Sequence, residues 1–130
     1  MIVVDASALL EVLLRTAAAK AVEDRLFGPA ETLCAPHLLD VEVAHVIQRY
    51  AACGDVSEER GRLAIATLAD FPLQRYPHDV LLPRIWELRR NLTAYDAAYV
   101  SLAEALDAPL LTRDGRLATA AGHNARIVLA

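Results

Sequence analysis

The chain alternates short apolar runs with longer segments whose apolar residues recur at helical spacing. Such alternation is typical of α/β proteins, in which helices cover both faces of a parallel sheet. Turn-forming residues support the boundaries, because Gly28-Pro29, Gly54-Asp55 and Pro109 stand where the pattern changes. We predict strands at 2–5, 32–35, 73–76, 109–112 and 126–129, and helices at 7–14, 17–27, 37–52, 57–70, 79–90, 95–106 and 115–121.

Length and composition indicate one domain without a membrane segment. A chain of 130 residues can bury about 68% of its unfolded surface in a single core. Its hydrophobic fraction of 55% exceeds the roughly 45 to 50% of ordinary domains, yet no apolar stretch approaches the ~20 residues that span a bilayer. The first residues lack the pattern of a signal peptide. We therefore expect a single cytoplasmic domain over residues 1–130, with surplus apolar surface for partner proteins.

Four acidic residues stand where such a fold would bring them together. Asp5 and Asp114 follow apolar strands, whereas Glu42 and Asp96 come early in helical segments. In a doubly wound sheet the carboxyl ends of the strands form one edge, and ligands bind where the strand order reverses. Four ionised carboxylates there would repel one another, and a divalent cation relieves the repulsion. The sequence therefore predicts a site for Mg²⁺, a hard ion that takes carboxylate oxygens and keeps several waters.

The three aspartates each have a simpler interpretation when they are taken alone. Either Asp5 or Ser7 is suited to cap the helix after the first strand, and Asp114 is suited to cap a helix after a plain turn. Thr93 and Asp96 match the start of a capping box. The four acids together favour a metal cluster, because one fold would carry all of them to the same edge.

Helical periodicity separates Glu42 from its neighbour Asp40. Leu39 and Val43 belong to an apolar stripe, with Glu42 on one flank and Asp40 on the other. We favour Glu42 for the site, because its longer side chain reaches inward from the edge of the stripe. Asp96 shares its own helical face with Tyr99, three residues later, and with other apolar positions but no basic residue, so its carboxylate needs another partner.

A carboxylate cluster with a water-bearing metal ion suits phosphodiester hydrolysis, because the ion activates water and stabilises the leaving oxygen. Phosphate-receiver domains and aspartate-nucleophile phosphatases also place aspartates at strand ends, but they set a lysine against the phosphoryl group. The one lysine, Lys20, lies in an early helix. The phosphatases also need a second acid two residues after the first, where Ser7 stands. Both classes fit poorly.

Four segments resemble the motifs of PIN-domain ribonucleases and, more narrowly, those of VapC-type toxins from bacterial toxin–antitoxin pairs. The segments are VVDASALL at 3–10, the helix around Glu42, TAYDAAYVSLA at 93–103 and LLTRDGRL at 110–117. The resemblance covers the whole chain in length, motif order and spacing. Asp107 stands where many relatives carry a glycine, a departure that touches only a turn.

The resemblance implies a metal site and a way of assembling. Its metal ligands, for Mg²⁺ or Mn²⁺, are Asp5, Glu42, Asp96 and Asp114, with Ser7 and Thr112 beside them as polar support. It also implies a three-layer α/β/α PIN-like domain with strand order 3-2-1-4-5, a homodimer and a cognate antitoxin. The implied function is that of a metal-dependent endoribonuclease acting as a toxin. A non-catalytic PIN-like module that binds RNA or protein is the alternative.

Charge gives mixed signals about an RNA substrate. The formal net charge of −4 argues against an obvious nucleic-acid binder, but less so if four acids hold metal. Apart from Lys20, the 13 basic residues are arginines, whose planar guanidinium suits phosphates. Arg113 and Arg116 flank Asp114 and are the candidates for RNA binding.

The apolar surplus predicts a homodimer contact and a groove for the antitoxin. Small side chains between Thr16 and Ala21 would let a partner helix approach closely. Larger side chains on the next long helix, Leu38, Leu39 and Val43, would anchor it. A partner docked there would lie near Glu42, so a basic residue on its tail could pair with the acids.

Overall fold

Five strands form one parallel sheet in the protein, whose computed structural model describes residues 1–29 and 31–130. They are β1 (Ile2–Val4), β2 (Leu33–Pro36), β3 (Leu73–Tyr76), β4 (Leu110–Thr112) and β5 (Ile127–Leu129). The order across the sheet is β3-β2-β1-β4-β5, and each neighbouring pair is parallel. The predicted strands agree with these to within one residue at each end, and the implied strand order is confirmed.

The helices of the described residues connect these strands and cover the sheet. They are α1 (Ala6–Leu13), α2 (Ala19–Leu26), α3 (Leu38–Ala52), α4 (Glu58–Asp70), α5 (Leu82–Glu87), α6 (Ala94–Leu106) and α7 (Gly115–Thr119). Helix α1 packs against α2, α3 and α4, whereas α5 pairs with α6, which lies against β1, β2 and β4. The result is the three-layer α/β/α fold expected from the sequence. Within residues 1–29 and 31–130, no helix combines the length and apolar character needed to cross a membrane.

The helix predicted over residues 79–90 is present only in part, because its first turn is 3₁₀ and its α-helical portion ends at Glu87. Asp79–Leu81 form a 3₁₀ turn, and α5 begins directly after it with Pro83 in its first turn. Proline lacks an N–H group and its ring clashes with the carbonyl four residues earlier, so a helix accepts it only near its start. At the other end, the N–H of Arg89 donates to the carbonyl of Trp86 at 3.2 Å. This i to i−3 bond tightens the chain into a 3₁₀-like turn and ends α5.

The central strand β1 lies where the strand order reverses, between β2 and β4. Val4 pairs with Leu111, and the N–H of Asp5 donates to the carbonyl of Leu111 at 3.0 Å. The carboxyl ends of β1 and β4 are therefore level. Buried apolar side chains from the sheet and both helical layers hold this edge in place, among them Val3, Leu9, Leu39, Val43, Tyr99 and Leu110.

Candidate active site

Asp5 lies at the carboxyl end of β1, directly before α1, and is 7% exposed. Its Oδ2 accepts a hydrogen bond from Thr112 Oγ1 at 2.7 Å and another from Ser7 Oγ at 3.0 Å. Burial raises the pKa of Asp5 because the charged form loses water, and the two hydroxyl hydrogen bonds oppose that rise. Both bonds fall on the same oxygen, so they fix the orientation of the carboxylate while leaving Oδ1 outside the pair.

The two hydroxyls are themselves held by main-chain donors. Ser7 Oγ accepts from the N–H of Arg113 at 3.0 Å, and Thr112 Oγ1 accepts from the N–H of Asp114 at 3.0 Å. The hydroxyl oxygens lie 3.3 Å apart, but each has one hydrogen and gives it to Asp5. This network joins the ends of β1 and β4 to the loop that carries Asp114.

Glu42 reaches the same edge from α3, where it is half-buried. Its Oε1 accepts a hydrogen bond from the Tyr99 hydroxyl at 2.6 Å. Burial raises the pKa of Glu42, the Tyr99 hydrogen bond opposes this, and the negative charges of Asp5 and Asp96 raise it further. The half-buried carboxylate therefore has a neutral partner and two negative neighbours.

Tyr99 is the residue of this edge that the sequence analysis did not single out. The helical pattern placed it three residues after Asp96 on an apolar face, and it is fully buried at 0% exposure. Burial and the charge of Glu42 raise the pKa of its phenol, so the hydroxyl keeps its proton and donates it. A phenol on the same helical face as an unpaired acid was the available signal.

Asp96 lies in the first turn of α6 and is half-buried. The Thr93 side chain caps the helix by accepting from the N–H of Asp96 at 3.1 Å, so the threonine half of the predicted capping box is present. Burial raises the pKa of the Asp96 carboxyl, and the charges of Asp5 and Asp114 raise it further. The main chain of Asp96 thus takes part in the cap while its carboxylate lies among the acids.

Asp114 caps α7 and also lies close enough to Asp96 to affect its pKa. Its Oδ1 accepts from the N–H of Arg116 at 2.9 Å, and the Arg116 side chain approaches it with Nε at 3.6 Å. The interpretation of Asp114 as a helix cap is therefore correct, but it does not exclude a second role. The side chain is 29% exposed, and its charge contributes to the raised pKa of Asp96.

Asp5, Glu42, Asp96 and Asp114, here called the acidic rim, share one electrostatic neighbourhood. Asp5 raises the pKa of both Glu42 and Asp96, and Asp114 adds to the effect on Asp96. Such mutual shifts arise between like charges several Å apart. Within residues 1–29 and 31–130, no three acidic, histidine or cysteine side chains are arranged as a ready metal-binding group. The rim brings the acids within reach of one another's charge, with their side chains still apart.

The two candidate RNA-binding arginines lie at different places around the rim. The Arg116 side chain is 94% exposed, stands beside Asp114 and slightly offsets the raised pKa of Asp96. The Arg113 guanidinium instead donates to the main-chain oxygen of Ala130 at 2.8 Å. The structure therefore brings Arg116 to the acids and directs Arg113 along the end of the sheet beside β5.

Asp40, the acid that the sequence analysis set aside, is paired with an arginine. Arg75 donates to it from Nε at 2.7 Å and from Nη2 at 3.0 Å. The same Nη2 also donates to the carbonyl of Leu68 at 2.8 Å. This bidentate pair joins α3 to β3 and the end of α4, away from the rim.

The prediction of an apolar groove around Leu38, Leu39 and Val43 is wrong in part. Leu39 and Val43 are fully buried at 0% exposure, because the apolar stripe of α3 faces the core like that of any amphipathic helix. A groove of about 490 Å³ does lie beside Glu42, lined by Leu38, Val41, Glu42, His45 and Tyr95. Val41 and Tyr95 are its most exposed apolar side chains, at 73% and 64%.

Comparison with known proteins gives one family. The family model described as the PIN domain matches residues 2–123. Ribonuclease VapC12 of Mycobacterium tuberculosis (strain ATCC 25618 / H37Rv) is 43% identical over 129 residues, which make up 99% of this chain and 98% of that protein.

Two solved structures have a similar fold at low sequence identity. Mycobacterium tuberculosis VapC20, a sarcin-ricin loop cleaving toxin, has a TM-score of 0.70 at 16% identity, over 95% of this chain and 97% of that chain. A chain of a toxin–antitoxin complex from Klebsiella pneumoniae has a TM-score of 0.66 at 19% identity, over 92% of this chain and 91% of that chain. At such identities the likeness concerns the fold alone.

Proposed function

The chain belongs to the PIN-domain family, and on this premise we propose that it is a metal-dependent endoribonuclease with residues 1–130 as a single PIN domain. The acidic rim carries the proposal, because burial raises the pKa of Asp5, and burial with mutual charge raises those of Glu42 and Asp96. Acids that serve structure alone are normally paired when they are buried. RNA as the substrate class is supported by a relative named a ribonuclease.

The donor atoms of the rim fit a hard divalent cation. All four residues offer carboxylate oxygens, which Mg²⁺ and Mn²⁺ prefer, and a nearby positive charge would lower the pKa values that the rim raises. The proposed ligands are Asp5, Glu42, Asp96 and Asp114. The bound ion would supply Lewis-acid polarisation of phosphoryl oxygens and an activated water. Because the side chains lie apart, their closure on a cation is part of the proposal.

Two side chains of the protein hold the Asp5 carboxylate in a fixed orientation. Ser7 and Thr112 both donate to Oδ2 of Asp5 and so hold the carboxylate in one orientation. A carboxylate fixed in this way loses less conformational freedom when a ligand binds. We assign Ser7 and Thr112 the role of supporting Asp5, with no direct part in the reaction.

Arg116 and Arg113 are proposed to neutralise RNA phosphates next to the rim, despite the negative charge of the whole chain. Arg116 is exposed and available, whereas Arg113 would have to release Ala130. We expect Arg116→Ala to weaken RNA binding and to reduce the salt slope by about one unit, with a smaller effect for Arg113→Ala. Arg62→Ala on α4, also well exposed, is the matched control. Unchanged affinity in both rim variants would contradict this assignment and make Arg89 and Arg90 the next candidates.

The direct test of the proposed function is RNA cleavage by the purified chain with Mg²⁺, with EDTA, and with Mg²⁺ restored after EDTA. Cleavage that EDTA removes and Mg²⁺ restores is the expected result. Equal cleavage in EDTA would contradict the metal dependence. RNA that is bound but left intact under all three conditions would favour the non-catalytic module.

We further propose that the protein is the toxin of a toxin–antitoxin pair, forms a homodimer and acts in the cytoplasm, where cellular RNA is found. Support comes from the resemblance of four segments to VapC-type toxins and from a relative named Ribonuclease VapC12. The groove beside Glu42 is the surface that an antitoxin would cover. Light scattering of the isolated chain tests the homodimer. Mn²⁺ titration with and without the antitoxin tests whether the antitoxin affects the metal site. A stable monomer whose metal affinity ignores the antitoxin would contradict this part and leave the nuclease proposal intact.

A further inference from the structure

A single hydrogen bond joins the two helices that deliver acids to the rim. Tyr99 lies on α6 one turn after Asp96, and its hydroxyl donates to Oε1 of Glu42 on α3 at 2.6 Å. The Tyr99 side chain is 0% exposed. Because close packing restricts a buried ring to one orientation, the position of the hydroxyl is set by the core.

The chemistry of this donor differs from that of the arginine that pairs with Asp40. Asp40 receives two bonds from the guanidinium of Arg75, which neutralises its charge. A phenol that keeps its proton orients Glu42 without neutralising it, so the carboxylate keeps its full attraction for a cation. Thr112 does the same for Asp5 by donating to one of its two oxygens at 2.7 Å.

Resting on the proposed metal-dependent function, we propose that Tyr99 is a positioning residue for the metal site. Its hydroxyl donates to Oε1 of Glu42 and thereby fixes the carboxylate in the orientation in which it would hold the ion. Partners that orient metal ligands commonly contribute about 10 to 100-fold to metal affinity when they are removed by mutation. The rim therefore includes two acids that neutral hydroxyls fix in place, Asp5 through Thr112 and Glu42 through Tyr99.

The test is a Mn²⁺ titration of the full chain without RNA, in which electron paramagnetic resonance measures the concentration of the free ion. We expect Tyr99→Phe to weaken Mn²⁺ binding by about 10-fold. Tyr50→Phe is the matched control, because it removes the same hydroxyl from a partly buried tyrosine on α3 outside the rim. Thermal melts in EDTA report any loss of fold separately from the loss of metal affinity.

A double-mutant cycle separates positioning from packing. If Tyr99 acts through Glu42, then Tyr99→Phe has no further effect on Mn²⁺ affinity in a Glu42→Gln background. Equal weakening in both backgrounds would overturn the proposal. The proposal would also be overturned if Tyr99→Phe melted at a lower temperature in EDTA but its folded form bound Mn²⁺ like the wild type. Wild-type protein that fails to bind Mn²⁺, or Glu42→Gln that binds it normally, would overturn the proposed metal site as well.

Discussion

Helix α6 carries an acid near each end, and the two acids have opposite surroundings. Asp96 lies at the rim, where burial and the charges of Asp5 and Asp114 raise its pKa. Glu104 accepts from Arg84 Nε at 2.8 Å and Nη2 at 2.9 Å, and from the N–H of Asn124 at 2.8 Å. The Arg84 guanidinium holds the pKa of Glu104 below its usual value.

The difference indicates which carboxylates hold the fold together. Glu104 ties α5 and α6 to the segment before β5, and the chain gives it a cation and a main-chain donor. The acidic rim receives mainly neutral hydroxyl donors, from Ser7, Thr112 and Tyr99, so its negative charge is retained. Uncompensated charge of this kind destabilises a folded chain. Its concentration at one edge of the sheet supports the proposed binding of a cation there.

The same contrast recurs on α3 between acids two residues apart. Asp40 is paired with Arg75, whereas Glu42 is bound to a phenol and faces two negative neighbours. Helical geometry points these side chains to different sides of α3. The contrast therefore follows from placement on the helix.

The largest expected effect is the loss of RNA cleavage in Asp96→Asn, matched against Glu104→Gln at the other end of α6. Removal of a ligand should cost more than the roughly 100-fold upper range for residues that only orient ligands. Asp5→Asn and Asp114→Asn should lose activity to a similar degree. Glu104→Gln should leave the rate per folded molecule unchanged. Initial rates on one RNA substrate decide this, and similar losses in Asp96→Asn and Glu104→Gln would remove the contrast.

The pair on α3 gives an equally sharp comparison. Glu42→Gln should lose activity like the aspartate variants, because it removes a proposed ligand but keeps a group that accepts from Tyr99. Asp40→Asn should retain activity, since Asp40 lies with Arg75 away from the rim. The measurement is cleavage rate at saturating Mg²⁺, normalised to folded protein. A loss confined to Asp40→Asn would mean that the assignment of the two flanks of α3 is reversed.

How far the sequence predicts this molecule depends on how local the signal is. Four of the five strands were predictable as short apolar runs, and β3, with the sequence LQRY, as a short segment between Pro72 and Pro77. Helices α3, α4 and α6 were predictable because their periodicity is long. The 3₁₀ turn at Asp79–Leu81 and the early end of α5 at Glu87 were missed although Pro83 is visible, because apolar periodicity continues across the segment. The strand order came from the resemblance, since pairing between distant strands leaves no mark in either one alone.

The acids of the site could be predicted from the sequence, whereas the side chains that hydrogen-bond around them were harder to predict. Their positions after strands and early in helices carried Asp5, Glu42, Asp96 and Asp114 to one edge, and their roles as ligands stay predictions. Tyr99 was counted as an apolar position because periodicity reports which face is buried and says nothing of where a hydroxyl ends. The bond from Arg113 to Ala130 likewise depends on the approach of β5, which sequence spacing does not encode.

A smaller effect is expected for stability at the structural end of α6. Glu104→Gln should lower the free energy of unfolding at pH 7 by about 1 to 3 kcal/mol, because Arg84 keeps its charge and loses the more buried of its two ionic partners, with Glu87 remaining. The pKa of Glu104 is lowered from 4.5 in the folded chain, so its contribution is complete above pH 4.5 and is lost as pH falls through the lowered value. Urea unfolding of both proteins from pH 7 downward should show the difference shrinking in that acid range. A difference that stays constant with pH would contradict the pairing.

The smallest effect concerns the rim in EDTA, where Asp5→Asn, Asp96→Asn and Asp114→Asn should melt at or slightly above the wild-type temperature. Each change removes one of several like charges and so relieves repulsion. Asn is as good an N-cap as Asp, so the cap that Asp114 makes with the N–H of Arg116 survives the substitution. Asp114→Ala is the control, because it relieves the same charge but loses the cap, at a cost of roughly 1 kcal/mol. If the asparagine variants melted well below wild type and kept full activity per folded molecule, the acids would be structural caps. The two ends of α6 would then differ in geometry alone.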